Sequence, residues 1–167
     1  MTEPCTVLLA ASAAPWREAI PDLAARVEKA VCRAVAAAGA AGRCEVSVVL
    51  TDDDEIRRLN LAHRGIDCAT NVLAFPLEFA AEAAVADRPR LLGDIVVAYE
   101  TLAGEAAAQH KPLRDHLAHM LVHGTLHLCG YGHGTDASAE AMESLERDIL
   151  GALRVPYPYA AERVPIP

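Results

Sequence analysis

Three histidines stand in the run His123-Gly124-Thr125-Leu126-His127-Leu128-Cys129-Gly130-Tyr131-Gly132-His133, and their spacing demands a helix followed by a tight reversal. A helix advances ~1.5 Å and ~100° per residue, so positions four apart share a face about 6 Å apart along the axis. The imidazoles of His123 and His127 can therefore converge on one ion at ~2.0–2.1 Å. Gly130, just past the last turn, suits the left-handed conformation that reverses a chain, and the reversal brings His133 back toward the same ion. Leu121, Val122, Leu126 and Leu128 anchor the helix in a core. Three protein ligands leave a fourth tetrahedral position for water or substrate, which is the pattern of a catalytic zinc site and not of a closed structural one.

A large class of zinc peptidases shares this spacing, with a glutamate after the first histidine as general base. Gly124 occupies that position here, so the peptidase reading lacks its base. His119 lies four residues before His123, and as a fourth ligand it would close the site. A core or outer-shell role is preferred, because three positions spaced by four drift too far along and around the helix to share one ion. His110 and His116 read as ordinary polar positions near the start of the helix. His63 has no ligand spacing. Cys129 points to another side of the helix from His127 and reads as core filler.

The 167 residues are read as one domain, residues 1–154, followed by a proline-punctuated tail, 155–167. With 23 acidic against 15 basic residues the net charge is −8, so a global attraction for nucleic acid is absent and any RNA contact has to be a local patch. Lysine occurs only at 29 and 111, and the rest of the basic set is arginine, the better bidentate phosphate ligand. Five cysteines, odd in number and without a C-x-x-C pair, read as the reduced thiols of a cytosolic protein. The apolar stretch Val7–Ala11 follows Glu3 and no basic residue, so it reads as a first strand and not as a secretory signal. No stretch approaches the length of a membrane span.

Periodicity gives strands over 5–11 and Cys44–Leu50, and an amphipathic helix Pro21–Ala38 with Leu23, Val27, Val31 and Val35 at helical spacing. The acid-rich Thr51–Glu55 starts a helix that runs to about His63. Asn71–Phe75 reads as a strand stopped by Pro76, and Leu92–Tyr99 as another, with an alanine-rich acidic loop between them. Helices near 100–109, 112–129 and 136–153 follow. Asp136 is read as the N-cap of the last one, or alternatively as an aid to the metal.

The histidine run resembles the H-G-x-L-H-L-x-G-Y-D-H signature of the YbeY endoribonucleases, the metal-dependent rRNA maturation factors of bacteria. Leu59-Asn60 with Arg64-Gly65, Thr70-Asn71-Val72-Leu73-Ala74-Phe75-Pro76, Gly93-Asp94-Ile95, Met142-Glu143 and Glu146 agree in order, over roughly residues 45 to 150. The resemblance implies a zincin-like α+β domain, with a small mixed four-stranded sheet, one antiparallel edge strand and about five helices. It implies one zinc ion on His123, His127 and His133, with Arg64 and His123 as the catalytic residues. The implied activity is single-strand-specific RNA cleavage at the 3′ end of small-subunit rRNA and in ribosome quality control. Its setting would be cytoplasmic, as a monomer and with no membrane, alongside the small ribosomal subunit and its assembly proteins. Arg64 matches the family's functional arginine, and a planar guanidinium there would bind a phosphate or stabilise charge developing on it. Arg57 and Arg58, close by, complete the expected RNA patch.

Gly132 replaces the aspartate that precedes the third histidine in the family pattern. Asp94 and Glu143 are read either as supports of the site or as ordinary polar contacts. Whether water or the RNA's own 2′-hydroxyl attacks stays open. The rival readings are a non-enzymatic ribosome assembly factor with a structural metal, and a metallopeptidase.

Overall fold

Valine and leucine at alternate positions build the centre of the protein. In the computed structural model, which describes residues 5–40, 42–77 and 88–156, strand β2 (Cys44–Thr51) buries Val46, Val48 and Leu50 completely. It lies between β1 (Cys5–Ala11) and β4 (Arg90–Ala98), parallel to both. Strand β3 (Val72–Pro76) closes the order β1-β2-β4-β3 as an antiparallel edge strand, as expected for a mixed sheet of this size. Pro76 is tolerated there because an edge strand can forgo one N–H.

Strand β4 is apolar on both faces, so the sheet has a core on each side. Ile95 and Val97 face the larger core, with helices α2 (Leu23–Ala37) and α5 (Leu113–Leu128). Val96 and Ala98 join Leu73 and Ile56 in the smaller one, against helix α3 (Asp53–Arg64). Helices α4 (Tyr99–Ala108) and α6 (Asp136–Ala152) complete the packing around α5. No helix among the described residues is long and apolar enough to cross a membrane.

Three local features differ from the sequence reading. A sixth helix, α1 (Pro15–Ala19), is too short to show periodicity; it buries Trp16, whose indole N–H donates to the Thr51 carbonyl at 2.9 Å. Asp22 is the N-cap of α2, so Pro21 precedes the helix. The N-cap of α6 is Thr135 and not Asp136: its hydroxyl accepts from Ser138 N–H, and Ser138 returns a bond to Thr135 N–H, a reciprocal cap that a free aspartate cannot better. The acidic loop between β3 and β4 falls largely, and the tail from 157 on entirely, outside the described residues.

Two devices tie α3, α4, α5 and β3 together. The starts of α3 and α4 cap each other, with Thr101 N–H and hydroxyl donating to Asp53 and Asp53 N–H donating to Glu100 at 2.9 Å. At the start of β3, Asn71 donates to Glu105 at 3.0 Å, and Glu105 also accepts from His116 at 2.9 Å. His116 is thus a buried pairing residue and not an ordinary polar position. Further along β4 the ladder to β2 slips by one, Glu45 pairing with Leu91 and Val46 with Gly93. Gly93 adopts φ +144° at this bulge.

Candidate metal centre

Helix α5 ends at Leu128, Cys129 caps it, and Gly130 takes the left-handed conformation expected of it, φ +98°. The reversal is sealed by Tyr131 N–H donating to the Leu126 carbonyl at 3.0 Å. It brings His133 to His123 and His127, and one ligand atom from each of the three lies within 4.8 Å of the others. The His123 and His133 rings stack at 5.5 Å, and His127 meets each of them edge-on.

The histidine tautomers follow from their outer partners. His127 Nδ1 lies 3.0 Å from the Tyr131 carbonyl, which can only accept, so Nδ1 carries the proton and Nε2 a lone pair. His123 Nδ1 lies 2.6 Å from the Glu146 carboxylate, which fixes a proton on that nitrogen. The two Nε2 atoms nevertheless face each other at 3.0 Å. Two lone pairs at that distance repel unless a proton or a metal ion lies between them, so with both rings neutral the pair fits a metal ion. Burial, then the neighbouring His123, pushes the His127 imidazolium pKa down, which keeps the ring neutral as a metal requires.

Glu146 on α6 is the residue whose role sequence reasoning missed. Its carboxylate is 4% exposed and bridges two turns of α5, one oxygen 2.6 Å from His123 Nδ1 and the other 3.5 Å from His119 Nε2. Burial works to raise its pKa, but the bonds from His119 and His123 outweigh burial and hold the group at about 2. His119 therefore turns toward Glu146 and not toward the metal cluster, in line with the outer role expected for it. Glu146→Gln keeps the shape but removes the charge that makes His123 a better donor. Metal affinity is expected to fall roughly 10–100-fold with little change in melting temperature. A metal titration showing wild-type affinity would reduce Glu146 to packing.

A cleft of about 450 Å³ opens on the cluster, lined by His123, Gly124 and His127 of α5, Val72, Ala74 and Pro76 of β3, Gly130, Tyr131 and Arg64. Arg64 is the last residue of α3, and Gly65 in the left-handed conformation turns the chain away after it. Among the described residues no carboxylate lies within ion-pair distance of Arg64. Arg57 and Arg58 depart from the expected patch, since Arg57 pairs with Asp67 at 2.7 Å and Arg58 with Glu55, and neither lines the cleft. Gly124 is buried against Ile95, and even a Cβ there would come within 3.2 Å of Ile95 Cγ2. The position that holds the peptidase glutamate is thus a glycine packed closely on Ile95. Asp94 is exposed, Glu143 half-buried, and Asp136 exposed; none joins the cluster. Cys129 packs against the main core, as expected.

Fold and site together define a cluster of three histidines that could hold a metal ion, carried by a helix and turn beside the edge of an α+β sheet. The chain belongs to the YbeY endoribonuclease family, whose family model, Endoribonuclease YbeY, matches residues 15–154. An Endoribonuclease YbeY from Nitrobacter hamburgensis is 52% identical over 122 residues, which are 72% of this chain and 64% of that protein. One from Rhodopseudomonas palustris strain BisB18 is 50% identical, covering 81% of this chain and 84% of its own length. One from Bradyrhizobium sp. strain BTAi1 is 48% identical, covering 87% and 86%. The solution structure of the Thermotoga maritima protein TM1509 shares the fold, with TM-score 0.53 and 23% identity over 96% of this chain and 99% of that one.

Proposed function

We propose that this protein is a zinc-dependent, single-strand-specific endoribonuclease that processes the 3′ end of small-subunit rRNA. On this reading its partners are the small ribosomal subunit and its assembly proteins, it works in the cytoplasm as a monomer, and residues 1–154 form its one domain. The observation that carries the reading is the shared cleft: His123, His127 and Arg64 line one cavity beside the edge strand. A cation site sharing a cleft with an arginine that has no acidic partner among the described residues suits a phosphodiester, whose charge both would oppose.

His123, His127 and His133 would hold zinc, which supplies Lewis-acid stabilisation of charge on a phosphoryl oxygen. Arg64 binds the phosphate and stays charged as negative charge grows in the transition state. Glu146 holds the His123 proton on Nδ1 and keeps Nε2 turned to the metal. No carboxylate stands at position 124 to deprotonate a water, and this favours attack by the RNA's own 2′-hydroxyl.

The test is cleavage of a labelled single-stranded RNA by purified protein, with chelator and with zinc restored. Activity is expected to vanish and return, leaving a 2′,3′-cyclic phosphate; a free 3′-hydroxyl would sink the 2′-hydroxyl route, and chelator-resistant cleavage would sink the metal. In the same assay Arg64→Ala is expected to lower kcat/KM by about 10²-fold, the scale set by one lost charge-stabilising donor. Its exposed position predicts a melting temperature close to wild type. Equal losses in rate and stability would make Arg64 structural.

A further inference from the structure

The edge of β3 runs through the cleft, and the ladder register shows which of its peptide groups face outward. Ala98 N–H bonds the Asn71 carbonyl at 3.0 Å and Leu77 N–H bonds the Leu92 carbonyl at 3.1 Å. In an antiparallel ladder the bonded pairs alternate, so with this register residues 71, 73, 75 and 77 face β4 while Val72, Ala74 and Pro76 turn their peptide groups away from it. The Val72 N–H is taken by the Asn71 side chain at 2.7 Å, and Pro76 has none. Among the described residues of this edge Ala74 alone offers an N–H and a C=O together, and no described strand pairs with β3 on that side.

The position of that peptide group is set by what flanks it. The histidines reach the cleft from α5 on one face of the sheet, where Gly124 touches Ile95. Arg64 reaches it from α3, whose Ile56 packs on the opposite face. A cavity lined from both faces passes around the strand edge, and Ala74 lines it together with Arg64, His123 and His127.

We propose that the Ala74 peptide group is a base-reading ledge, donating to and accepting from the Watson–Crick edge of an unpaired nucleobase next to the bound phosphate; this rests on the RNA reading above. Every nucleobase carries a donor and an acceptor side by side on that edge, so one N–H and one C=O suit all four bases. In a duplex the same edge is occupied by the opposite strand. The ledge therefore selects for single strands without selecting for sequence, and it does so in a chain whose net charge of −8 supplies no general attraction for RNA.

The test is binding of metal-loaded protein to two labelled oligonucleotides, oligouridine and oligo(N3-methyluridine), both with the same cleavage-resistant 2′-O-methyl backbone. The methyl group removes the base donor and leaves phosphates and stacking faces in place. Methylation is expected to weaken binding by about tenfold, the scale of one or two net hydrogen bonds. Ala74→Pro removes an outward N–H but no ladder bond, and it is expected to weaken oligouridine binding several-fold while leaving metal content and methylated-oligonucleotide binding near wild type. Equal, measurable affinity of the wild type for both oligonucleotides would overturn the ledge and leave the RNA reading standing. No measurable binding of either would overturn both. The oligonucleotide comparison uses the unaltered protein, so it decides the matter even if the proline variant misfolds.

Discussion

His123→Ala is expected to remove the bound metal and RNA cleavage together, leaving a protein that still folds. A closed zinc site contributes ~10–16 kcal/mol, so one ligand in three or four carries on the order of 3 kcal/mol, a loss of at least about 10²-fold in affinity. The loss should exceed that of an outer-shell change, because His123 is tied to both neighbours of the site. Its Nε2 faces His127 at 3.0 Å and its Nδ1 holds Glu146 at 2.6 Å. Without it the buried carboxylate keeps only His119, and a buried acceptor that loses a partner costs ~1–3 kcal/mol. Metal analysis, far-ultraviolet circular dichroism and the RNA assay should therefore report no stoichiometric zinc, a folded spectrum and cleavage at the level of chelated wild type. Full zinc occupancy in the variant would show that His127 and His133 suffice and that the centre is organised around another ligand.

The ligand spacing was legible because a helix turns histidine positions four apart into neighbours, and because Gly130 marked the reversal before His133. The strands were legible for a similar reason: alternation in β2 and the apolar run of β4 follow from which faces they bury. What stayed hidden depends on pairings made across the fold. Glu146 lies 23 residues from His123; it agrees with the family pattern, but its histidine partners appear only once α6 packs on α5. Arg57 pairs with Asp67, ten residues on, a partner that sequence spacing does not assign, whereas Arg58 pairs with Glu55 one helical turn away. Thr135 outcompeted Asp136 as a cap because Ser138 stood three residues on to answer it. Which peptide groups of β3 face the cleft is a matter of register, and register appears only once β4 is alongside.

Register also underlies the expected collapse of Gly93→Ala. Gly93 sits at the bulge where β4 shifts against β2, opposite Pro76 of β3, with φ +144°. A Cβ there would overlap the Phe75 carbonyl oxygen and stand 2.9 Å from Leu128 Cδ2. The first obstacle is backbone in a paired strand and cannot rotate away, so the strand must shift or the ladder break. With the strained φ added, the expected cost is about 3–5 kcal/mol, or roughly 10 °C or more in melting temperature. Gly124→Ala is the matched control, since its Cβ meets only a side chain, Ile95, at 3.2 Å, and the ~1 kcal/mol of helix propensity gained offsets the crowding. The damage from Gly93→Ala should also reach the site, because Phe75 lies beside two cleft-lining residues of β3 and Leu128 follows His127 of the histidine cluster. Thermal melts and zinc titrations of the two variants should accordingly separate. If Gly93→Ala melts within ~2 °C of wild type, the bulge can relax, and the close approach of β4 to Phe75 is not what fixes the cleft.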